Sequence, residues 1–596
     1  MDEYGVPPLA RVEASESLAA AMFRRPDADP AAVALRRREP GGGWRDVTAG
    51  EFRGEVTALA QGLIAAGIRS GDRVALMSRT RYEWTLADYA TWAAGAVTVP
   101  VYETSSAEQV EWILHDSGAR AVIAETEAHE AVIASVRSRL PDLEHLWRIA
   151  EIDALTRGGV DVPGEEVARR LAATTAADLA TIVYTSGTTG RPKGCELSHR
   201  CLLADVRNAV AALPELFEQP GASTLLFLPL AHVFARIVQI GVLEAGAVLG
   251  HWPDPSTLAV GLAEYRPTFV LAVPRFFEKI YYTAQRQAGA SAAGRRIFPA
   301  ADRAAVEWSQ ALAAGRWPGL LSAARHRVFD LLVYRRLRAA AGGRVGYAIS
   351  GGGPLSERLG HFFRGAGITV LEGYGLTEAA GAATVSRPGR KTVGTVGLPL
   401  PGVSVRVAAD GEILIKGDSV FRGYWRNGDA TREVLDEDGW LHTGDAGALD
   451  DQGMLQVTGR RKELIVTAGG TNVAPAVLEE RVRAHPLISH CLVVGDGRPY
   501  VGCLITLDPE ALEHWQREHR RPGGARVRAG DSDLLADIQQ AVDEANKAVS
   551  RAESIRRFRI LPADFTEVSG QLTPSDKVRR SEVARDCAAE IEALYA

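Results

Sequence analysis

Over its first 180 residues the chain alternates helix-length stretches with short apolar runs, and that rhythm constrains the fold more than any other feature. Residues 48–66 carry apolar side chains at helical spacing, whereas residues 73–77 and 121–124 are short apolar runs of strand length. Short buried strands separated by helices predict a parallel α/β sheet. The theme resumes at residues 181–184, 223–227, 269–273 and 345–349. A chain of 596 residues exceeds what one core organises, so two α/β subdomains are expected.

Later segments change style. Residues 281–341 are rich in Ala, Arg and Leu and are broken near Trp317-Pro318, which predicts a helical insertion. Residues 393–457 are short runs punctuated by Gly, Asp and Asn, as in GEILIKG and DEDGWLHTGD, and predict a small β-rich module. Beyond Gly459 come a helix near residues 475–484, a hairpin-like VVGDGRPYVGCLITLD and charged helices, a smaller α+β domain. The expected division is therefore 1–458 and 459–596. RRPGGARVRAG at 520–530 reads as a polar surface loop.

Composition narrows the function. A formal charge of −6 lacks the basic excess of a nucleic-acid binder. Five cysteines, none in C-x-x-C, indicate neither a disulfide framework nor a zinc site. The N-terminus has no secretory pattern and no apolar run reaches about 20 residues, so a cytoplasmic location without a transmembrane helix is expected.

The most chemical segment follows the run at 181–184: Thr185-Ser-Gly-Thr-Thr-Gly-Arg-Pro-Lys193-Gly194. Gly187, Gly190 and Gly194 let backbone amides curve around phosphate oxygens. Thr185, Ser186, Thr188 and Thr189 add hydroxyls, and Lys193 adds charge. Because Pro precedes the lysine and Gly follows it, the Walker pattern is not met.

Five further motifs follow in order: Ser350-Gly-Gly-Gly-Pro354, Gly373-Tyr-Gly-Leu-Thr-Glu378, Gly439-Trp-Leu-His-Thr-Gly-Asp445, Thr458-Gly-Arg-Arg-Lys-Glu463 and Leu572-Thr-Pro-Ser-Asp-Lys577. Together with the glycine-rich loop they resemble the adenylate-forming superfamily, and the local wording resembles its long-chain fatty acyl-CoA synthetase branch. The resemblance covers residues 47–580. It implies a large N-terminal domain and a smaller mobile C-terminal domain that turns about Lys462.

It also implies site roles. Thr185, Ser186, Gly187, Thr188, Thr189, Gly190 and Lys193 would cradle the ATP phosphates. Gly351, Gly352, Gly353, Tyr374 and Gly375 would flank adenine, with Thr377 near phosphate. Asp445 would accept from the ribose hydroxyls, braced by Arg460. Glu378, with Thr185, would hold Mg2+, a hard cation that prefers oxygen donors. His232 would stand beside the acyl and phosphate groups, and Lys577 would bridge the acid carboxylate and the α-phosphate, two anions that otherwise repel. Phe234 and Arg236 are the candidates for the acyl-tunnel entrance.

The implied reaction has two steps: acid plus MgATP gives acyl-adenylate and pyrophosphate, then coenzyme A displaces AMP. Two alternatives stay open, a ligase that loads a carrier-protein phosphopantetheine and a catalytically silent nucleotide or lipid sensor. Contact with the inner membrane face is a further expectation, since the substrate partitions into lipid. The cluster Arg551, Arg556, Arg557 and Arg559 reads as a solvated face or a site for anions. Oligomeric state and preferred chain length are not legible.

Overall fold

The computed structural model describes residues 1–39, 41–185, 191–389, 393–469, 472–519, 531–573 and 577–596. Its first sheet has six strands in the order His145–Arg148, Ala119–Ala124, Arg73–Met77, Val97–Val101, Leu179–Thr185 and Lys193–Ser198. All neighbours run parallel except the last pair. Parallel strands need crossover helices on their faces, and the apolar spacing supplies them. The helix Ala49–Ala65 is opened by a reciprocal cap between Thr48 and Glu51 and buries Phe52, Val56, Leu59 and Leu63.

A second sheet sets Phe269–Ala272, Tyr347–Ser350 and Thr369–Tyr374 in parallel and ends in two short antiparallel strands. A third sheet joins distant pieces of chain: Ser223–Leu226 and Val248–His251 pair with Val33–Arg38 and Trp44–Thr48. The α/β subdomains therefore interleave in sequence, a register that no local pattern could report.

The helices Pro274–Gly289, Gly294–Ala313 and Leu320–Phe329 follow, with a break between the last two at Trp317-Pro318. The β-rich module is an antiparallel sheet of Val403–Val407, Glu412–Gly417, Leu441–Leu449 and Leu455–Arg460, edged by Glu3–Gly5. The C-terminal part carries its own apolar core around Leu478, Val493, Val501 and Ile538, built on the hairpin Ile488–Val494 and Val501–Leu507. It touches the larger part through polar contacts: Arg275 donates to the Ser489 carbonyl at 3.1 Å, and Tyr282 hydroxyl donates to the Ala484 carbonyl. Separate cores joined by polar contacts are the usual basis of domain movement.

Candidate active site

One cleft of about 2450 Å³ runs between the two parts, lined by the second parallel sheet, the β-rich module and the C-terminal segment. At one end the strands Leu441–Leu449 and Leu455–Arg460 place Asp445 opposite Arg460. Tyr374, closing the strand Thr369–Tyr374, donates its hydroxyl to Asp445 Oδ2 at 2.7 Å, and Arg460 Nε lies 3.2 Å from Oδ1. Asp445 is 6% exposed, yet both oxygens have partners, as a buried polar group requires. Burial and that charge together push the Tyr374 phenol well above its ordinary pKa, so it remains a donor.

Glu378 sits in the short 3-10 turn Thr377–Ala379 that follows this strand. Tyr424 donates its hydroxyl to Glu378 Oε1 at 2.8 Å, and the Lys193 ammonium lies 4.9 Å from the centre of the Tyr424 ring. Thr185 and Lys193 face each other across an antiparallel pair at the ends of their strands. Ser186, Gly187, Thr188, Thr189 and Gly190 lie outside the described residues. Gly375 makes the turn feasible, because a Cβ there would come within 1.9 Å of the Gly381 carbonyl oxygen. Gly351 is similarly constrained, with the Phe234 ring 3.3 Å from where its Cβ would be, while Gly352 and Gly353 line the cleft.

Across the cleft stands Lys577, an exposed residue whose amide donates to Thr573 Oγ1 at 3.1 Å. Desolvation in the cleft and the charge of Arg460 hold its pKa below the usual lysine value, against the pull of Asp445 and Glu463. Lys577 is also felt by His232: burial first, then the Lys577 charge, lower that imidazole to about 4, so it is neutral at pH 7. His232 caps the helix Val233–Glu244, its Nδ1 accepting from the Phe234 amide at 3.1 Å. Lys462 is exposed in the 3-10 turn Arg461–Glu463 at the cleft edge.

The other end of the cleft is apolar. Val206, Ala209, Val210 and Leu213 of one helical face and Ile237, Val238 and Gly241 of another line it. Both sets recur at one, three and four residues, the spacing of a single helical face. Within this wall sits Asp205, 2% exposed, with no hydrogen bond to either oxygen among the described residues. Burial pushes its pKa well above the carboxylate range, so it is held neutral.

Phe234 lines the cleft. Arg236 does not. It is 1% exposed, its Nη2 donates to Asp88 at 2.6 and 2.9 Å and its Nη1 to Thr181 Oγ1 at 2.6 Å, with Trp84 and Trp92 rings within 5.4 Å. The expected entrance role is corrected: the guanidinium points into the core, where Asp88 and Thr181 engage its two terminal nitrogens and Nε has no hydrogen bond among the described residues. The basic cluster is also partly committed, since Arg557 donates to the carbonyls of Leu594 and Ala596 at 3.3 and 2.8 Å.

Sequence reading missed Tyr424, Asp205 and Glu412. Glu412 accepts from the Gly444 amide at 2.9 Å and pairs with Arg461 at 2.8 Å, which fixes the turn before Asp445. The available signals were an aromatic in a Gly/Asn-rich turn for Tyr424 and a lone acid in an apolar helix for Asp205.

The donor set suits magnesium in the mode in which a protein lends one carboxylate and the nucleotide lends the rest. Glu378 has an oxygen beyond the one Tyr424 engages, and no cluster of three His, Cys, Asp or Glu exists among the described residues to hold a metal alone.

An aspartate engaged by a tyrosine and an arginine, a wall of three glycines and a lysine from the C-terminal segment thus meet around one cleft. Residues 22–425 match the AMP-binding enzyme family and residues 462–596 its C-terminal domain, and the chain belongs to this family. It is 50% identical to the long-chain-fatty-acid–CoA ligase FadD15 of Mycobacterium bovis and of Mycobacterium tuberculosis, over 602 aligned residues and 100% of both chains. Its fold also matches the anthranilate CoA ligase AuaEII in complex with anthranoyl-AMP, with a TM-score of 0.73 and 20% identity over 98% of this chain and 99% of the other.

Proposed function

We propose that the protein is an ATP-dependent ligase that activates a long-chain fatty acid as its acyl-adenylate and transfers it to coenzyme A, releasing pyrophosphate and then AMP. The observation that carries this reading is the continuity of the cleft from Asp445, through Glu378 and His232, to the apolar wall at Leu213. A nucleotide and an alkyl chain can then meet at their reactive ends. Each buried CH₂ contributes about 0.8 kcal/mol, so an apolar channel favours long acids.

Asp445, braced by Arg460 and Tyr374, accepts from the ribose hydroxyls. The glycines 351–353 and Tyr374 flank adenine, and Lys193 with Thr185 meets phosphate. Glu378 and Thr185 would hold Mg2+, which would supply neutralisation of phosphate charge. Lys577 sits between acid carboxylate and α-phosphate and stabilises the charge that builds on the phosphate oxygens. Neutral His232 leaves that region without a competing cation. Rotation of residues 459–596 about Lys462 then withdraws Lys577 and admits the thiol. No helix among the described residues is long and apolar enough to cross a membrane.

Mass spectrometry of products from MgATP and fatty acids of graded length, with and without coenzyme A, tests this. Acyl-CoA plus AMP is the expected result. Acyl-adenylate that persists despite coenzyme A would point to a carrier-protein acceptor, and absence of ATP turnover would favour a sensor.

A further inference from the structure

Of the thirteen large apolar side chains that the described surface exposes, seven lie within residues 312–332: Leu312, Trp317, Leu320, Leu321, Val328, Leu331 and Leu332. A helical run through Leu320–Phe329, the π-helical turn Asp330–Tyr334 and Arg335–Ala340 has two apolar faces. The inner face is used: Tyr334 and Leu337 are buried, Phe329 and Val333 pack on the core, and Tyr334 hydroxyl donates to the Ala301 carbonyl at 2.6 Å. The outer face is not. Leu320 and Leu321 are each 86% exposed, Leu331 is 61% exposed and Trp317 is 69% exposed. Scattered exposed leucines are ordinary, but a contiguous stripe on one helix face marks a contact surface.

The charge around the stripe identifies the contact. Residues 312–340 hold six arginines and one carboxylate, in a chain whose net charge is −6. That carboxylate, Asp330, is paired with Arg338 at 2.7 Å, while exposed Arg316, Arg327, Arg335 and Arg336 have no carboxylate partner among the described residues. A Trp and Leu face bordered by arginines matches the interface of an anionic bilayer, where indole and alkyl groups enter the headgroup layer and guanidinium groups meet phosphates. Trp317 is already braced edge-on against Trp308, at 5.9 Å between ring centres, so little ordering is needed on contact.

We propose that the exposed face of residues 312–336 is a docking surface for anionic lipid bilayers, on which the enzyme lies without spanning. The proposal rests on the ligase reading and extends it, since it gives the site access to acids dissolved in the membrane. Binding should fall steeply with salt, because its polar part is arginine to phosphate.

Sedimentation of the full-length protein with vesicles of phosphatidylcholine alone, or with one-third phosphatidylglycerol, tests it. The intact chain is expected to bind the anionic vesicles at least tenfold more strongly than the neutral ones. The triple variant Leu320→Glu, Leu321→Glu, Leu331→Glu should lose at least tenfold of that binding while its turnover of water-soluble octanoate stays within twofold. Hydrogen exchange of the unmodified protein needs no variant: vesicles should protect residues 312–336. Equal binding to both vesicles, or protection elsewhere only, would overturn the proposal. So would concentration-dependent dimerisation without lipid that the triple variant abolishes, since the stripe would then be covered by a second copy. Vesicle binding without turnover of any fatty acid, from octanoate to long-chain acids, would sink the ligase reading and leave the surface standing.

Discussion

Two buried aspartates line one cleft, and what separates them is their partners. Asp445, 6% exposed, has a partner on each oxygen; Asp205, 2% exposed, has none among the described residues. The first is engaged by a phenol and a guanidinium. The second is kept neutral by burial and sits in a wall of Val, Ala and Leu. Burial alone therefore does not decide what a carboxyl group does; its partners do.

The largest effect should come from a third aspartate, outside the cleft, that shows what a dry, paired carboxylate contributes. Asp88→Leu strands Arg236 in the core and should destabilise the protein by about 3–5 kcal/mol in urea unfolding, with the ranking of acids unchanged. A loss below about 1 kcal/mol would mean that Arg236 finds water or another partner. Next comes the nucleotide end. Lys577→Ala should slow adenylation about 10²–10³-fold yet spare thioester formation from preformed acyl-adenylate. Equal loss in both half-reactions would remove the bridging role.

Acid should unfold the large domain through its buried histidines. His199 and His251 are held near a pKa of about 4, chiefly by burial, and His199 Nδ1 is already an acceptor from the Leu18 amide at 3.2 Å. The unfolded chain takes up these protons below about pH 6.5, whereas the native chain refuses them until about pH 4. Stability is thus intact above the upper value and is lost as pH falls between the two, by roughly 3 kcal/mol per histidine at most. Thermal melts from pH 7 to pH 4 should show this slope, and His199→Gln should flatten it.

The smallest effects bear most directly on the two ends. Asp205→Leu removes an unsatisfied polar group and should raise stability by about 1–3 kcal/mol, whereas Asp445→Leu should lower it and raise the KM for ATP. Shifts of the same sign would mean that Asp205 has a partner in solution, such as a bound water.

That Tyr374, Glu378, Asp445 and Arg460 share one cleft was legible in the sequence because these groups fall in short segments whose chemistry is local. The turn holding Glu378 immediately follows the strand that ends at Tyr374, and Asp445 and Arg460 fall on strands joined by one hairpin. Arg236 misled, because a charge in an apolar helix looks exposed until its partner, 148 residues earlier in the chain, is brought beside it. Tyr424 was hidden for the same reason, since its strand bridge to Cys195 spans much of the large domain.

By itself the sequence determined the alternation of helices and strands, the turn glycines and the order of the reactive segments. These depend on backbone preference and apolar spacing over a few residues. Only the tertiary structure decided which charges are buried and paired, that residues 33–48 complete a sheet with residues 223–251, and that one apolar helix face at residues 320–332 is left facing outward. Burial is a property of what packs against a residue, and in this chain the packing partner is often more than 100 positions away.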